Sequence, residues 1–279
     1  MCKLSSDVNA ARLLSRALLG YALAMDIFQF NRDAWDKQVE ADNRWTQPVS
    51  SEVVEAARRD DWELVLTPHR AVPRAWYPPL KGARVLALAS GGGQQGPILA
   101  AAGADVTVFD ASPKQLAQDR WVADRDQLAL ETVEGDMADL SVFASDSFDL
   151  IFNPCSNCFA QSLEPIWREC HRVLKPGGVL MVGFVNPFAQ LLDPELYEQG
   201  VAQLRFSMPF SDLDLTASER EKWFGADEPL EFAHSLEAQL AGQLAAGLQI
   251  TDLFEDDWGG SEAIDRHIKS FIATRSIKS

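Results

Sequence analysis

The chain changes its hydrophobic rhythm near residue 83. Before that point apolar residues recur at helical spacing. Leu13, Leu14, Ala17, Leu18, Tyr21 and Met25 fall on one stripe, which predicts an amphipathic helix over about 8–30. Further helices are expected over about 31–42 and 50–60. A proline-punctuated stretch, TPHRAVPRAWYPPLKG (67–82), then interrupts the helical pattern and reads as a domain boundary.

From Ala83 onward, short apolar runs alternate with helical patterns. RVLALAS (84–90), DVTVFD (105–110), ALETVEGD (129–136), SFDLIFN (147–153) and VLMVGFV (179–185) read as five strands. Helices are predicted between them over about 94–102, 113–126 and 162–174. The second of these starts where Ser112 supplies an N-cap and Pro113 occupies the first helical position. A long acidic insertion, helical or irregular, follows Asn186 and runs to about 246. LQITDLFED (248–256) and KSFIATRSI (269–277) then read as a sixth and a seventh strand. Little helix follows them, so they are expected to form an antiparallel pair. The pattern as a whole predicts an α/β fold: a doubly wound, seven-stranded, mostly parallel sheet with helices on both faces. An N-terminal helical region (1–80) would precede a core (81–279) that contains the 186–246 insertion.

Charge narrows the choice of partner. The formal net charge is −16, and Asn186 to Asp265 holds seventeen Asp or Glu against three Lys or Arg. A nucleic-acid phosphate backbone would be repelled from that surface. No apolar run is long enough to span a bilayer. Lys3, Arg12 and Arg16 precede ALLGYALAM (17–25) in a superficially signal-like order, but the helical spacing continues through it, which favours a helix. Four cysteines, Cys2, Cys155, Cys158 and Cys170, are too few and too clustered for a disulfide scaffold and suit a reduced cytoplasmic setting.

The candidate chemistry begins at SGGGQQG (90–96), a G-x-G-x-x-G between a strand and a helix, with Asp110 ending the next strand. Glycines allow backbone to approach a ligand, and an acid at that strand tip can accept both hydroxyl hydrogen bonds of a ribose. The loop alone does not separate a dinucleotide from a mononucleoside. A dinucleotide needs a second mononucleotide half, and none is recognisable. Gly135-Asp136-Met137 instead ends the third strand, a corner able to hold an adenine by its amino group and by apolar contact.

VLALASGGGQQG (85–96), VFDAS (108–112), EGDM (134–137), SFDLIF (147–152) and HRVLKPGGVLMVGF (171–184), in this order, resemble the class I S-adenosylmethionine-dependent methyltransferases. NRDAWDKQVEADNRWTQPVS (31–50) more loosely resembles the lid of bacterial small-molecule members of the quinone-biosynthesis type. The resemblance implies S-adenosyl-L-methionine as cofactor. It assigns Ala89, Ser90, Gly91, Gly92, Gly93 and Gln95 to the methionine and ribose side, and Asp110 to the ribose hydroxyls. Ala111 and Ser112 would lie beside the adenine, Asp136 and Met137 would bind and pack it, and Asn153 and Pro154 would line the floor beneath the sulfonium. The loop departs from the family's usual G-x-G-x-G in carrying Gln95 at its third position. Trp35 and Trp45 fall in the lid-like segment and are candidates for substrate contact, although core packing is the commoner fate of a tryptophan.

In this reading the reaction is an in-line displacement onto a small-molecule acceptor. It needs no metal, and needs a base only if the acceptor must lose a proton. Among His69, His171, His234 and His267, His234 lies in the insertion where a substrate cap belongs and is the tentative base, against the alternative of a structural histidine. NPCSNCF (153–159) admits three readings: half a zinc site, a redox dithiol, or a pocket wall at a strand tip with Cys158 facing substrate. The lack of a second C-x-x-C argues against zinc, and the missing thioredoxin context argues against redox work. Two other functional classes stay open: an NAD(P)- or flavin-dependent oxidoreductase, from the literal G-x-G-x-x-G, and a non-catalytic nucleoside-binding module.

Overall fold

The computed structural model describes residues 25–279. The part of the predicted 8–30 helix before residue 25 therefore lies outside the described residues. Seven strands form one sheet: β1 (Arg84–Leu88), β2 (Asp105–Asp110), β3 (Leu130–Glu134), β4 (Phe148–Asn153), β5 (Leu174–Val185), β8 (Leu248–Asp256) and β9 (Phe271–Lys278). Their order across the sheet is β3-β2-β1-β4-β5-β9-β8. The first five are parallel. β9 inserts antiparallel between β5 and β8. This is the predicted architecture, including the terminal antiparallel pair.

The central strands are apolar because both faces are covered. Val85 to Leu88 and Leu150 to Phe152 are all buried. One face packs against α3 (Gln95–Ala101) and the 64–83 segment, in a core that includes Leu66, Val72, Trp76 and Leu80. The other packs against α5 (Glu164–Val173), with Trp167 and Cys170 at its centre. The stretch read as a domain boundary is thus laid onto the sheet. The Thr67 hydroxyl and the His69 and Arg70 amides all donate to Asp256 Oδ2 at 2.7–2.9 Å.

Two expectations change. The predicted break between helices at residue 30/31 does not exist: a single helix, α1, runs Ile27–Glu40. It starts there because Asp26 accepts from the Gln29 amide at 3.0 Å and satisfies an otherwise orphaned donor. β5 also begins earlier than predicted, at Leu174, because Leu174, the first residue of LKPGG, already pairs with Phe148 of β4. The helix expected over 50–60 is α2 (Ser51–Arg58), and that expected over 113–126 is α4 (Pro113–Asp126).

The insertion is built from short pieces. α6 (Pro194–Tyr197) precedes a two-residue antiparallel ribbon of β6 (Phe210–Ser211) and β7 (Phe232–Ala233), and α7 (Ala217–Trp223) lies in the connection between its strands. A helical turn over Glu237–Ala241 continues into α8 (Gly242–Ala245) and returns the chain to the sheet. Strand order reverses between β1 and β4, so a crevice opens at their carboxyl ends, where open α/β sheets bind ligands.

Candidate active site

A cleft of about 1170 Å³ occupies that crevice. Its lower wall is formed by the tips of β1, β2, β3 and β4, and its roof by α1 and the insertion. Of the residues singled out from sequence, Ala89, Ser90, Gly91, Gln95, Asp110, Ala111, Asp136, Met137, Pro154, Trp35, Trp45 and Cys158 line it.

The glycine loop turns under strain directly after β1. Ala89 sits at φ +45°, and Gly92 and Gly93 at +104° and +72°, values that cost little only for glycine. At Gly96 the constraint is space, since a Cβ there would lie 2.5 Å from Val108 Cγ2 of β2. The loop amides are held by two acids. Gly91 N donates to Asp110 Oδ2 at 2.9 Å, and Gly92 N donates to Asp119 Oδ2 at 3.0 Å. Asp110 Oδ1 also accepts from Ser112 N at 2.9 Å. Burial pushes the Asp110 carboxyl up, against those amide donors. Asp119 lies wholly inside, and burial pushes it up to about 8.

Ser112 caps α4 by accepting from Gln115 N at 3.1 Å and donates its hydroxyl to Asp36 of α1 at 2.6 Å. With the Arg32–Glu134 ion pair at 2.9 Å, this fastens α1 across the β2 and β3 tips. Gly92, Gly93 and Ser112 thus support the wall from behind rather than face the cleft. Asn153 differs in the same way from the expected floor residue. It is buried and donates to Leu88 O at 2.9 Å and to Ser156 Oγ at 2.7 Å, bracing the β1 and β4 tips together. Pro154 faces the cleft in its place.

His234 is corrected most clearly. It is absent from the cleft wall, and its Nε2 meets the Ala160 carbonyl at 2.8 Å. Burial lowers its pKa, and the ring serves as a tie between the insertion and the loop after β4. Trp35 meets Phe159 edge-on at 5.2 Å. Trp45 leans on Trp258 at 6.4 Å with the Arg44 guanidinium 4.1 Å above its ring. Cys155 and Cys158 are free thiols at the cleft floor, and burial raises both pKa values, the reverse of what a reactive dithiol requires.

The sequence reading missed Glu231 and Asp212. Both line the cleft from the insertion. Burial pushes Asp212 up to about 6 and Glu231 up to about 7, the latter helped by the neighbouring Asp212 charge. Glu231 Oε2 accepts from Gln190 Nε2 at 3.1 Å, and Glu231 N donates to Asp212 Oδ2 at 3.0 Å. The available signal was local: in PLEFAH (229–234), Glu231 is an acid flanked by apolar residues on both sides.

The cleft fits an adenosine cofactor on this chain's own terms. A half-buried acid with spare acceptor capacity stands at the β2 tip, loop backbone approaches it closely, and Asp136 and Met137 close the third side. A methyltransferase domain model matches residues 86–182. The uncharacterized methyltransferase YbaJ of Bacillus subtilis is 50% identical over 249 residues, covering 89% of this chain and 97% of that protein. A ubiquinone/menaquinone biosynthesis C-methyltransferase of Cereibacter sphaeroides is 36% identical over 123 residues, covering 43% of this chain and 48% of its own length. A solved S-adenosylmethionine-dependent methyltransferase of Mesorhizobium loti superposes with a TM-score of 0.56 at 18% identity, covering 73% of this chain and 94% of the other.

The fold is that of the S-adenosylmethionine-dependent methyltransferases. The chain belongs to the methyltransferase family and is an enzyme of that S-adenosylmethionine-dependent class. The dinucleotide alternative also lacks its structural basis, because antiparallel β9 occupies the place where a second parallel mononucleotide half would continue.

Proposed function

We propose that this enzyme methylates a small-molecule acceptor in the cytoplasm, with the acceptor enclosed between the β4 tip and a cap formed by α1 and the 186–246 insertion. The observation that carries the reading is the shape of the cleft: strand tips form one wall, and the cap closes over it. S-adenosylmethionine, when bound, supplies a methyl group already activated on a sulfonium. Asp110 would accept from the ribose hydroxyls, Ala111 and Met137 would pack the adenine, and Asp136 would accept from its amino group. Ala89, Ser90, Gly91 and Gln95 would face the methionine end.

The protein's work is then positioning and exclusion of water. Asn153 holds the β1 and β4 tips at a fixed spacing, so Pro154 and the buried Cys158 form a rigid floor. Trp35 and Phe159 wall the acceptor side and can face a cation with their rings. Residues 31–50 contribute Trp35 and Trp45 to the roof, which supports the lid role expected of them. A crystal grown with S-adenosylhomocysteine tests this assignment. The ribose is expected on Asp110, and a ribose bound away from the β2 tip would refute it.

A further inference from the structure

The acceptor end of the cleft is acidic and aromatic. Among the described residues, seven carboxylates line the cleft and no Lys, Arg or His does. Asp110 and Asp136 belong to the nucleoside end, whereas Glu231, Asp212 and Glu228 stand opposite, on the insertion. Glu231 is fixed over the loop after β4 from both sides. On one side Asn31 of α1 donates to Phe159 O at 3.0 Å and to Leu230 O at 3.1 Å, and accepts from Leu230 N at 2.7 Å. On the other, His234 ties to Ala160. The Glu231 charge consequently reaches the Cys155 and Cys158 thiols on the floor.

Glu231 Oε2 is occupied by Gln190, while Oε1 has no hydrogen-bond partner among the described residues. Asn186 caps the turn that carries Gln190, and its amide donates to Ser270 O at 2.8 Å. Ser270 is only 1% exposed, lines the cleft, and leaves its Oγ without a partner. An unpartnered hydroxyl is costly inside a protein unless a ligand completes it. Trp35, Phe159, Phe210 and Trp223 supply aromatic faces on the same cleft.

We propose that the acceptor is a small organic amine, held as its cation by Glu231 and contacted by Ser270 within an aromatic wall. This rests on the methyl-transfer reading above. An anionic acceptor would meet like charge on this wall, and a neutral one would leave the carboxylate unpaired. A nitrogen must also shed a proton before it can be methylated. The N–H bond breaks, nitrogen keeps the electron pair, and a Glu231 oxygen takes the proton. Asp212 and Glu228 are the charges that act on Glu231 directly; the two thiols below it, Arg220 near Asp212 and His234 three residues along the chain are the other ionisable groups around it. With burial holding that carboxyl at about 7, it can take and release a proton near neutrality.

Three matched probes test this on the full chain by calorimetry: 2-phenylethylamine, 2-phenylethanol and phenylacetate, each titrated into protein saturated with S-adenosylhomocysteine. The amine is expected to bind about tenfold or more tightly than the other two, as one charge-assisted hydrogen bond requires. That preference should fade as pH is lowered through 7 towards 5, and should disappear in Glu231→Gln while S-adenosylhomocysteine affinity is retained. Ser270→Ala should weaken the amine by a smaller factor. With S-adenosylhomocysteine bound, no detectable amine binding, equal binding of amine and alcohol, or preference for the carboxylate would overturn the proposal. An undiminished preference in Glu231→Gln would do so too. Failure of S-adenosylhomocysteine itself to bind would instead remove the reading on which the proposal rests.

Discussion

The two ends of the cleft are built by different rules. At the proposed nucleoside end, each wall residue lies within a few positions of a strand tip, and its geometry follows from one β-loop-α unit. At the proposed acceptor end the wall is assembled from α1, the loop after β4 and the insertion, which are joined by contacts between residues up to 199 positions apart, such as Asn31 to Leu230. The first end is set by local chain geometry and the second by long-range ties. Changes at the first should therefore alter ligand affinity sharply and locally. Changes at the second should loosen several segments together.

The largest expected effect is at Asp110. Asp110→Ala removes the carboxylate that holds Gly91 and Ser112 and would face the ribose. S-adenosylhomocysteine affinity should fall by roughly a hundredfold, from two lost hydrogen bonds of about 1.5 kcal/mol each. Retained affinity by calorimetry would place the nucleoside elsewhere. Next comes Asn31→Ala, which strips three hydrogen bonds and leaves the buried Leu230 amide and carbonyl unpaired. A loss of roughly 2–4 kcal/mol is expected in denaturant unfolding. Proteolysis within the insertion should quicken, while nucleoside affinity changes less than in Asp110→Ala. If nucleoside affinity falls further than in Asp110→Ala, the two ends are not separable in the way described.

Gly96→Ala should be smaller, at about 1–3 kcal/mol, because its Cβ would collide with Val108 between α3 and β2. A neutral result in thermal melting would mean that the helix can shift outward freely. A last effect, read as a pH slope rather than a fixed loss, is the pH dependence carried by Asp119. Its folded-state pKa, about 8, exceeds its ordinary value of 3.8, so the folded chain holds a proton that the unfolded chain has released. Its contribution to stability is fullest below pH 4 and is lost as pH rises towards 8. Asp119→Asn removes that loss. The variant should gain at least about 1 kcal/mol relative to the parent between pH 5 and pH 8, and an identical pH slope in both proteins would disprove it.

The same contrast explains what was readable in the sequence. The glycine loop, Asp110, the Ser112 cap and the strand order are local patterns, and they appear where the periodicity predicts them. The terminal antiparallel pair was legible because its two strands come late in the chain with little helical pattern after them. His234 was chosen as a base because its residue type suggests one, but residue type does not reveal that Ala160 takes its ring nitrogen. Glu231 was overlooked as one of seventeen acids in an acidic segment, and its place on the cleft depends on long-range ties such as that of Asn31 to the adjacent Leu230. Asn153 was assigned to the floor by resemblance, and its buried position shows a brace instead. The 30/31 helix break failed for a local reason, the Asp26 cap.

The central claim is that the crevice at the β1 and β4 tips is an adenosine-cofactor site organised by Asp110. The most direct measurement is calorimetric titration of the full chain with S-adenosylhomocysteine and, separately, with NAD and NADP. The account predicts one S-adenosylhomocysteine site per chain, lost in Asp110→Ala, and no heat from either dinucleotide. Saturable dinucleotide binding without S-adenosylhomocysteine binding would contradict it.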